Sequence, residues 1–310
     1  MRGMYFAGIL MLVLGSAVWA SEPQVQEPEA ELSADQQEYL EWAMALWQTL
    51  SPQTGEVVLD SAAVTLNVPD DFYFLPKEDA QTVLVDVWGN PPGQEVLGML
   101  FPAEYTPFES EAWGVIIQYE EEGYVSDEDA SSINYDDMLE QMQDDTRDTS
   151  AERVKEGYEA IELVGWAAAP YYDPIQNKLH WAKELKFGDA EENTLNYNIR
   201  VLGRKGVLVL NFVAGMDQQS LIEQRLDAVL AMAEFNEGAR YADFQPGVDT
   251  VAAYGIGALV AGKVASKAGL LAAAMLFLKK FWIFIAVGIL ALFKKLFSRS
   301  KSAADQPTGE

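Results

Sequence analysis

The chain has no cysteine and one histidine in its 310 residues. Without cysteine it has no disulfide framework, no thiolate nucleophile and no thiolate metal site. With His180 as the only imidazole, any serine hydrolase triad would have to be built on it, yet no serine lies in a Gly-x-Ser-x-Gly elbow. Positive charge is scarce as well. Residues 21–250 hold 12 of the 21 Lys and Arg against 46 of the 48 acids, a formal charge of −34. Phosphate neutralisation needs basic patches, so this balance excludes nucleic acid as a partner of that segment. No period of 20 to 50 residues marks a repeat array.

The two ends are built differently from the middle. Residues 1–20 read as a secretory signal, with Arg2 ahead of an apolar run from Met4 to Val18 and small Ala20 before Ser21. An uncleaved anchor is the alternative, since about 18 apolar residues begin to span a bilayer. From Val251 to Phe297 the only charges are lysines, and Gly, Ala, Leu and Phe dominate. Phe281 to Phe293 is uninterrupted apolar sequence bracketed by Lys279, Lys280, Lys294 and Lys295. As a helix it reaches about 20 Å against a hydrocarbon core of about 30 Å. Snorkelling lysine stems and interfacial Trp282 close part of the gap, so the expected anchor is a short, tilted helix over 279–297, with a start near 268 as the alternative. The tail 298–310 carries Arg299 and Lys301, which directs it to the cytoplasm and the body to the far side.

The acid-rich, proline-bearing stretch 21–32 is expected to be a disordered lead-in. Ser33 with Gln36 three residues on predicts a capped helix, its stripe formed by Tyr39, Leu40, Ala43, Met44, Trp47 and Leu50. Alternation predicts a hairpin over Glu56–Asp60 and Ala63–Val68, then strands at Val96–Phe101, Trp113–Glu120, Ile161–Ala167, Leu179–Phe187, Leu195–Leu202 and Val207–Val213. Gly203 to Gly206 is the strongest hairpin turn. Helices are expected at Ala80–Val87, Tyr135–Arg147, Ala151–Ala160 and Asp217–Phe235. The fold class is therefore α+β: one extracytoplasmic domain over 33–250, a mostly antiparallel sheet covered by helices, followed by a small-residue juxtamembrane helix over 251–278 and the C-terminal transmembrane helix.

Chemistry-bearing candidates are few. Gly257 to Lys263 has the glycine and lysine positions of a phosphate-binding loop, but Val264 stands where magnesium needs a hydroxyl. Helix packing accounts for it better: Ala258, Gly262 and Ser266 recur every four residues, as do Ala261, Ala265 and Gly269, and such ladders let two helices approach closely. Asp127 and Asp129 sit in a dense acidic loop that could attract a cation, but an EF-hand frame begun at Asp127 puts Ser132 at the glycine and Met138 at the bidentate glutamate. A solvated loop is the ordinary meaning of such a run, and no resident metal is expected. His180 alternates within a strand, where a structural histidine is the commoner outcome. Arg200, Arg204 and Arg240 are the basic residues to test as partners of buried acids.

Five segments carry a resemblance: WGNPP at Trp88–Pro92, GWAAAPYYD at Gly165–Asp173, LHWAKEL at Leu179–Leu185, the hairpin Leu195–Ala214, and above all GARYADFQPGVDTVAAYGIGALVAGKVASKAGLL at Gly238–Leu271. Over about residues 35–297 the chain resembles a bacterial family of uncharacterised membrane-anchored proteins, a domain of unknown function. The resemblance implies an exported body and a C-terminal anchor in the inner membrane. It supplies no reaction, cofactor or catalytic residue. Arg240, Tyr241 and Asp243, where body meets anchor, are the candidate binding cluster. The function expected is a non-enzymatic envelope module that contacts the lipid bilayer and associates with itself or an envelope protein. The alternative is an extracytoplasmic hydrolase of peptide or glycan that uses carboxylates or His180.

Overall fold

The structure, a computed structural model, describes residues 33–261. The expected signal, lead-in, anchor and tail lie outside the described residues. No helix among the described residues is long and apolar enough to cross a membrane.

Helix α1 (Ala34–Trp47) starts where the capping box places it: Ser33 Oγ accepts from the Gln36 amide at 3.2 Å, and Gln36 Oε1 accepts from the Ser33 amide at 2.8 Å. Its stripe packs less fully than expected, because contact is made through aromatic rings rather than aliphatics. Trp47 meets Tyr73 edge-on, Trp42 meets Phe108, and the Tyr39 hydroxyl donates to the Phe108 carbonyl. Leu40 and Met44 are left exposed.

Strands β1 (Gly55–Leu59) and β2 (Val64–Val68) form the expected hairpin. Next come β3 (Phe72–Pro76), helix α2 (Lys77–Thr82) running into a π-helical turn at Val83–Val87, β4 (Gly98–Pro102), β5 (Gly114–Glu120) and short β6 (Tyr124–Ser126). Helix α3 (Tyr135–Lys155) is one element where two were expected, since no Gly or Pro interrupts it. Asn134 caps it, and the Ser150 hydroxyl towards its C-terminal end accepts from the Ile161 amide. Strands β7 (Ile161–Asp173), β8 (Lys178–Phe187), β9 (Thr194–Leu202) and β10 (Val207–Gly215) follow. Helix α4 (Gln219–Met232) ends three residues earlier than the helical pattern suggested: Ala233–Phe235, β11, pairs with β2 instead, satisfying that strand's open edge.

The main sheet has seven strands in the order β3-β4-β5-β10-β9-β8-β7, every neighbouring pair antiparallel. Proline at position 170 falls in β7, an edge strand whose register shifts around it, where a missing amide costs least. The period-2 alternation of each strand then fixes two faces. On one face Phe72, Phe74, Leu100, Val115, Ile117, Phe212, Tyr197 and Ile199 pack with the β1-β2-β11 sheet and with Ile222, Leu226 and Val229 of α4. Helices therefore share the cover of this face with a second sheet. The opposite face carries two smaller cores. One lies under α2 around Tyr73, Leu75, Met99 and Phe101, and the other around Leu179 and Trp181 of β8.

The second of these cores changes the reading of the C-terminal boundary. Val251–Gly255, expected as the start of a long helix, is strand β12, which pairs in parallel with β6. Helix α5 (Ile256–Ala261) begins only after it, with Ile256, Leu259 and Val260 buried against Leu179, Trp181, Leu202 and Val207. The domain thus runs past residue 250, and the turn into the small-residue segment is part of its core.

Candidate functional site

The segment from Gly238 to Ala261 is a strap tied to the end of the main sheet at several independent points. Arg204, in the β9–β10 turn, donates to both carboxylate oxygens of Asp249 at 2.8 and 2.9 Å and to the Gly238 carbonyl at 3.1 Å. The fork holds the Asp249 carboxyl below the usual carboxylate range. Asp249 also accepts from the Gln245 amide, which closes the turn between them. Tyr124 stacks on Tyr241 and on Phe244, with centroids 4.5 and 3.9 Å apart, and the Tyr241 hydroxyl donates to the Val125 carbonyl. Gly123 sits at φ +83° with the Thr250 carbonyl directly over its Cα, so any side chain there would be both strained and obstructed.

The candidate cluster Arg240, Tyr241 and Asp243 lies within this strap. Asp243 accepts from the Arg240 amide at 2.9 Å, a local turn, and Arg240 Nε reaches the Phe235 carbonyl at 3.4 Å. The structure therefore brings these three residues together as the corner of the strap. Arg204 and Asp249, rather than Arg240, form the ion pair.

Asp127 and Asp129 come from the acidic loop after β6. Asp129 spans the strap's last turn: its two carboxylate oxygens accept from the Ile256 and Gly257 amides at 3.0 and 3.1 Å. It thereby supplies the negative charge that the first turn of α5 favours. A Cβ at residue 255 would lie within 2.6 Å of that carboxylate, which accounts for glycine there. The loop-like Gly257–Lys263 motif thus begins with its first amide occupied by the protein's own carboxylate. Asp127 accepts from the Tyr172 hydroxyl at 2.9 Å, and burial together with that bond pushes the Tyr172 phenol well up. No group of three or more His, Asp or Glu among the described residues is arranged to hold a metal ion. Of the small-residue ladders, Ala258 and Ala261 are described and half-buried; Gly262, Ser266, Ala265 and Gly269 lie outside the described residues.

His180 is 5% exposed, stacked flat on Tyr171 at 4.7 Å and edge-on to Tyr197. Its Nδ1 has no hydrogen-bond partner, and no serine is bonded to it among the described residues. Burial, reinforced by nearby Lys178, pushes its pKa down to about 4. It is a neutral packing group. The groove between α3 and β7 collects Gln143, Arg147 and Ser150, but all three are engaged locally: Gln143 bonds the Leu163 and Val164 carbonyls, Arg147 pairs with Asp144, and Ser150 holds Ile161.

Alternation in β8 and β9 places a set of polar side chains on the face that elsewhere carries the two small cores. Lys183 shares the side of Leu179 and Trp181, and across from Lys183, Trp181 and Leu179 on β9 stand Asn196, Asn198 and Arg200 respectively. Lys183 escaped notice in the sequence, although a lysine at the same parity as a buried Leu and Trp is itself a signal.

A family described as "Protein of unknown function (DUF2167)" matches residues 51–290, and the chain belongs to it. No curated protein matches. Among solved structures, the solution structure of the cyanobacterial PsbP (CyanoP) from Synechocystis sp. PCC 6803 is 14% identical, covering 60% of this chain and 92% of that one at a TM-score of 0.34. The Saccharomyces cerevisiae Ran-binding protein Mog1p is 13% identical over 60% of this chain and 96% of its own, with a TM-score of 0.29.

Proposed function

We propose that this chain is an envelope protein that works by association rather than catalysis: exported by residues 1–20, held in the inner membrane by 279–297, and joined there to a second copy or an envelope protein partner. The acid-rich body lies on the periplasmic side and the tail 298–310 in the cytoplasm. What carries the reading is the strap. Its closing turn, with Ile256, Leu259 and Val260, is packed into the core of the body, so the described chain is held firmly up to Ala261. Helix α5 buries Ile256, Leu259 and Val260 and leaves Ala258 and Ala261, the first residues of the small-residue ladders, half-buried. Contact between two such ladders would set the orientation of the bodies above them. The buried, neutral state of His180 under Tyr171 argues against the hydrolase alternative.

Because the chain has no native cysteine, a single engineered one reports cleanly. Ser266→Cys in the full chain, oxidised in intact membranes, should give one discrete larger species, and adding Gly262→Leu should reduce it several-fold by blocking close approach. Recovery of monomer alone would overturn association through the ladder.

A further inference from the structure

Strand β9 sends Leu195, Tyr197, Ile199 and Val201 into the main core and Asn196, Asn198 and Arg200 to the other face. Between the two small cores of that face lies a polar stripe. Asn196 Nδ2 donates to Asn211 Oδ1 at 2.8 Å, and Asn198 Nδ2 donates to the Asn196 carbonyl and Oδ1, both at 2.9 Å. These bonds hold the asparagines as a ladder across β9 and β10. At one end of it the Arg200 guanidinium lies 5.0 Å over the Trp181 ring. Its Nε and Nη1 are buried and have no hydrogen-bond acceptor among the described residues. Lys183, half-buried opposite Asn196, forms no ion pair among the described residues either.

Two cations held this way are costly. A buried N–H left without an acceptor is destabilising, and more so when it is charged. Burial, with help from the positive charge of Arg200, pushes the Lys183 ammonium down to about 8, and burial lowers Arg200 to about 10. Glu120 is the carboxylate whose field reaches Arg200, but no salt bridge joins them. A chain with 48 acids had ample means to neutralise this pair and does so for Arg204. Buried polar groups without partners in native structures are commonly explained by an ion or water that completes them. A planar Arg fork and a Lys within its electrostatic reach are donors that oxyanions take, and the asparagines, bonded to one another, form the polar wall between them.

We propose that Arg200 and Lys183, with the Asn196–Asn198–Asn211 ladder beside them, form a binding site for a single phosphate group carried by a small molecule or a lipid head. Two unneutralised cations match the charge of a phosphate better than that of one carboxylate. The body's strong negative charge repels polyanions, which limits the ligand to one compact group. The Trp181 ring under Arg200 fixes the fork in place, so binding does not have to order it.

The test uses the full chain in neutral detergent and thermal unfolding as readout, with inorganic phosphate, soluble short-chain phosphatidylglycerol and short-chain phosphatidylcholine as probes at constant ionic strength. Phosphate or phosphatidylglycerol should raise the unfolding temperature of the native chain by mass action. Protection by inorganic phosphate identifies a free or monoester phosphate, and protection by phosphatidylglycerol alone identifies the lipid head as the source. Arg200→Met should abolish the protection, and Lys183→Met should weaken the affinity at least tenfold. Without ligand, Arg200→Met should unfold at the same or a higher temperature, because an uncompensated charge has been removed. No protection from any probe, equal protection of both variants, or a ligand-free Arg200→Met that is clearly less stable would overturn the site. The last result would leave Arg200 as a packing group for Trp181.

Discussion

Ile256→Asp should release the strap from the body while the seven-stranded sheet stays folded. Ile256 is fully buried among Val125, Leu179, Trp181 and Leu202. Removing its side chain and placing a carboxylate there should cost about 3–5 kcal/mol, the range of a large core truncation with an unsatisfied polar group added. The new acid would also face Asp129, whose carboxylate already occupies the amides of this turn. Because the strap lies at the edge of the fold, the free energy is lost by local opening rather than by global unfolding. Limited proteolysis should cut between 238 and 261, and amide exchange should quicken there, with β9 and β10 still protected. Leu259→Ala is the gentler companion, expected at about 2–4 kcal/mol at this buried position. Unchanged protection of the strap in both variants would contradict its integration into the core.

The second large effect is a pH dependence that belongs to His180. Its folded pKa of about 4 lies below the ordinary 6.5, so the unfolded chain binds the extra proton first. Stability from keeping this ring neutral is full above pH 6.5 and is lost progressively as pH falls towards 4. At 1.36 kcal/mol per pH unit the loss amounts to about 3 kcal/mol. The many carboxylates titrate over the same range, so the measurement is a comparison. His180→Phe keeps a flat ring against Tyr171 but cannot titrate, and denaturant unfolding of both forms at pH 7 and pH 4 isolates the difference. The native chain should lose about 3 kcal/mol more than the variant. Equal losses would mean that the imidazole is charged, or free to charge, in the folded protein.

What could be read in advance follows from the range over which the signals act. Strands β4, β5, β8, β9 and β10 were legible because each is an apolar-rich run of strand length whose signal lies within its own residues and flanking turns. The Gly203–Gly206 turn and the Ser33 cap were legible because their bonds close over three residues. Strands β11 and β12 were not, since three to five residues carry no period and their partners lie far off: Phe235 pairs with Val64, and Val251 with Tyr124. Asp129 looked like one acid in a solvated run because the amides it caps are more than 120 positions away. The run of small residues after 250 suggested helix throughout, and only the pairing of β12 with β6 shows where helix begins. Arg204 was correctly singled out as a partner of a buried acid, while Arg200, singled out with it, faces no carboxylate within ion-pair distance among the described residues.

We propose that the acidic body stands outside the inner membrane and is held there by an anchor over 279–297. The most direct measurement is protease treatment of intact spheroplasts, followed by separation of membranes and detection of both the body and the tail 298–310. The account predicts that the body is digested, while a short C-terminal fragment survives in the membrane fraction and is cleaved only after lysis. A body that resists protease until lysis, or a full-length chain freely soluble after cell breakage, would contradict it.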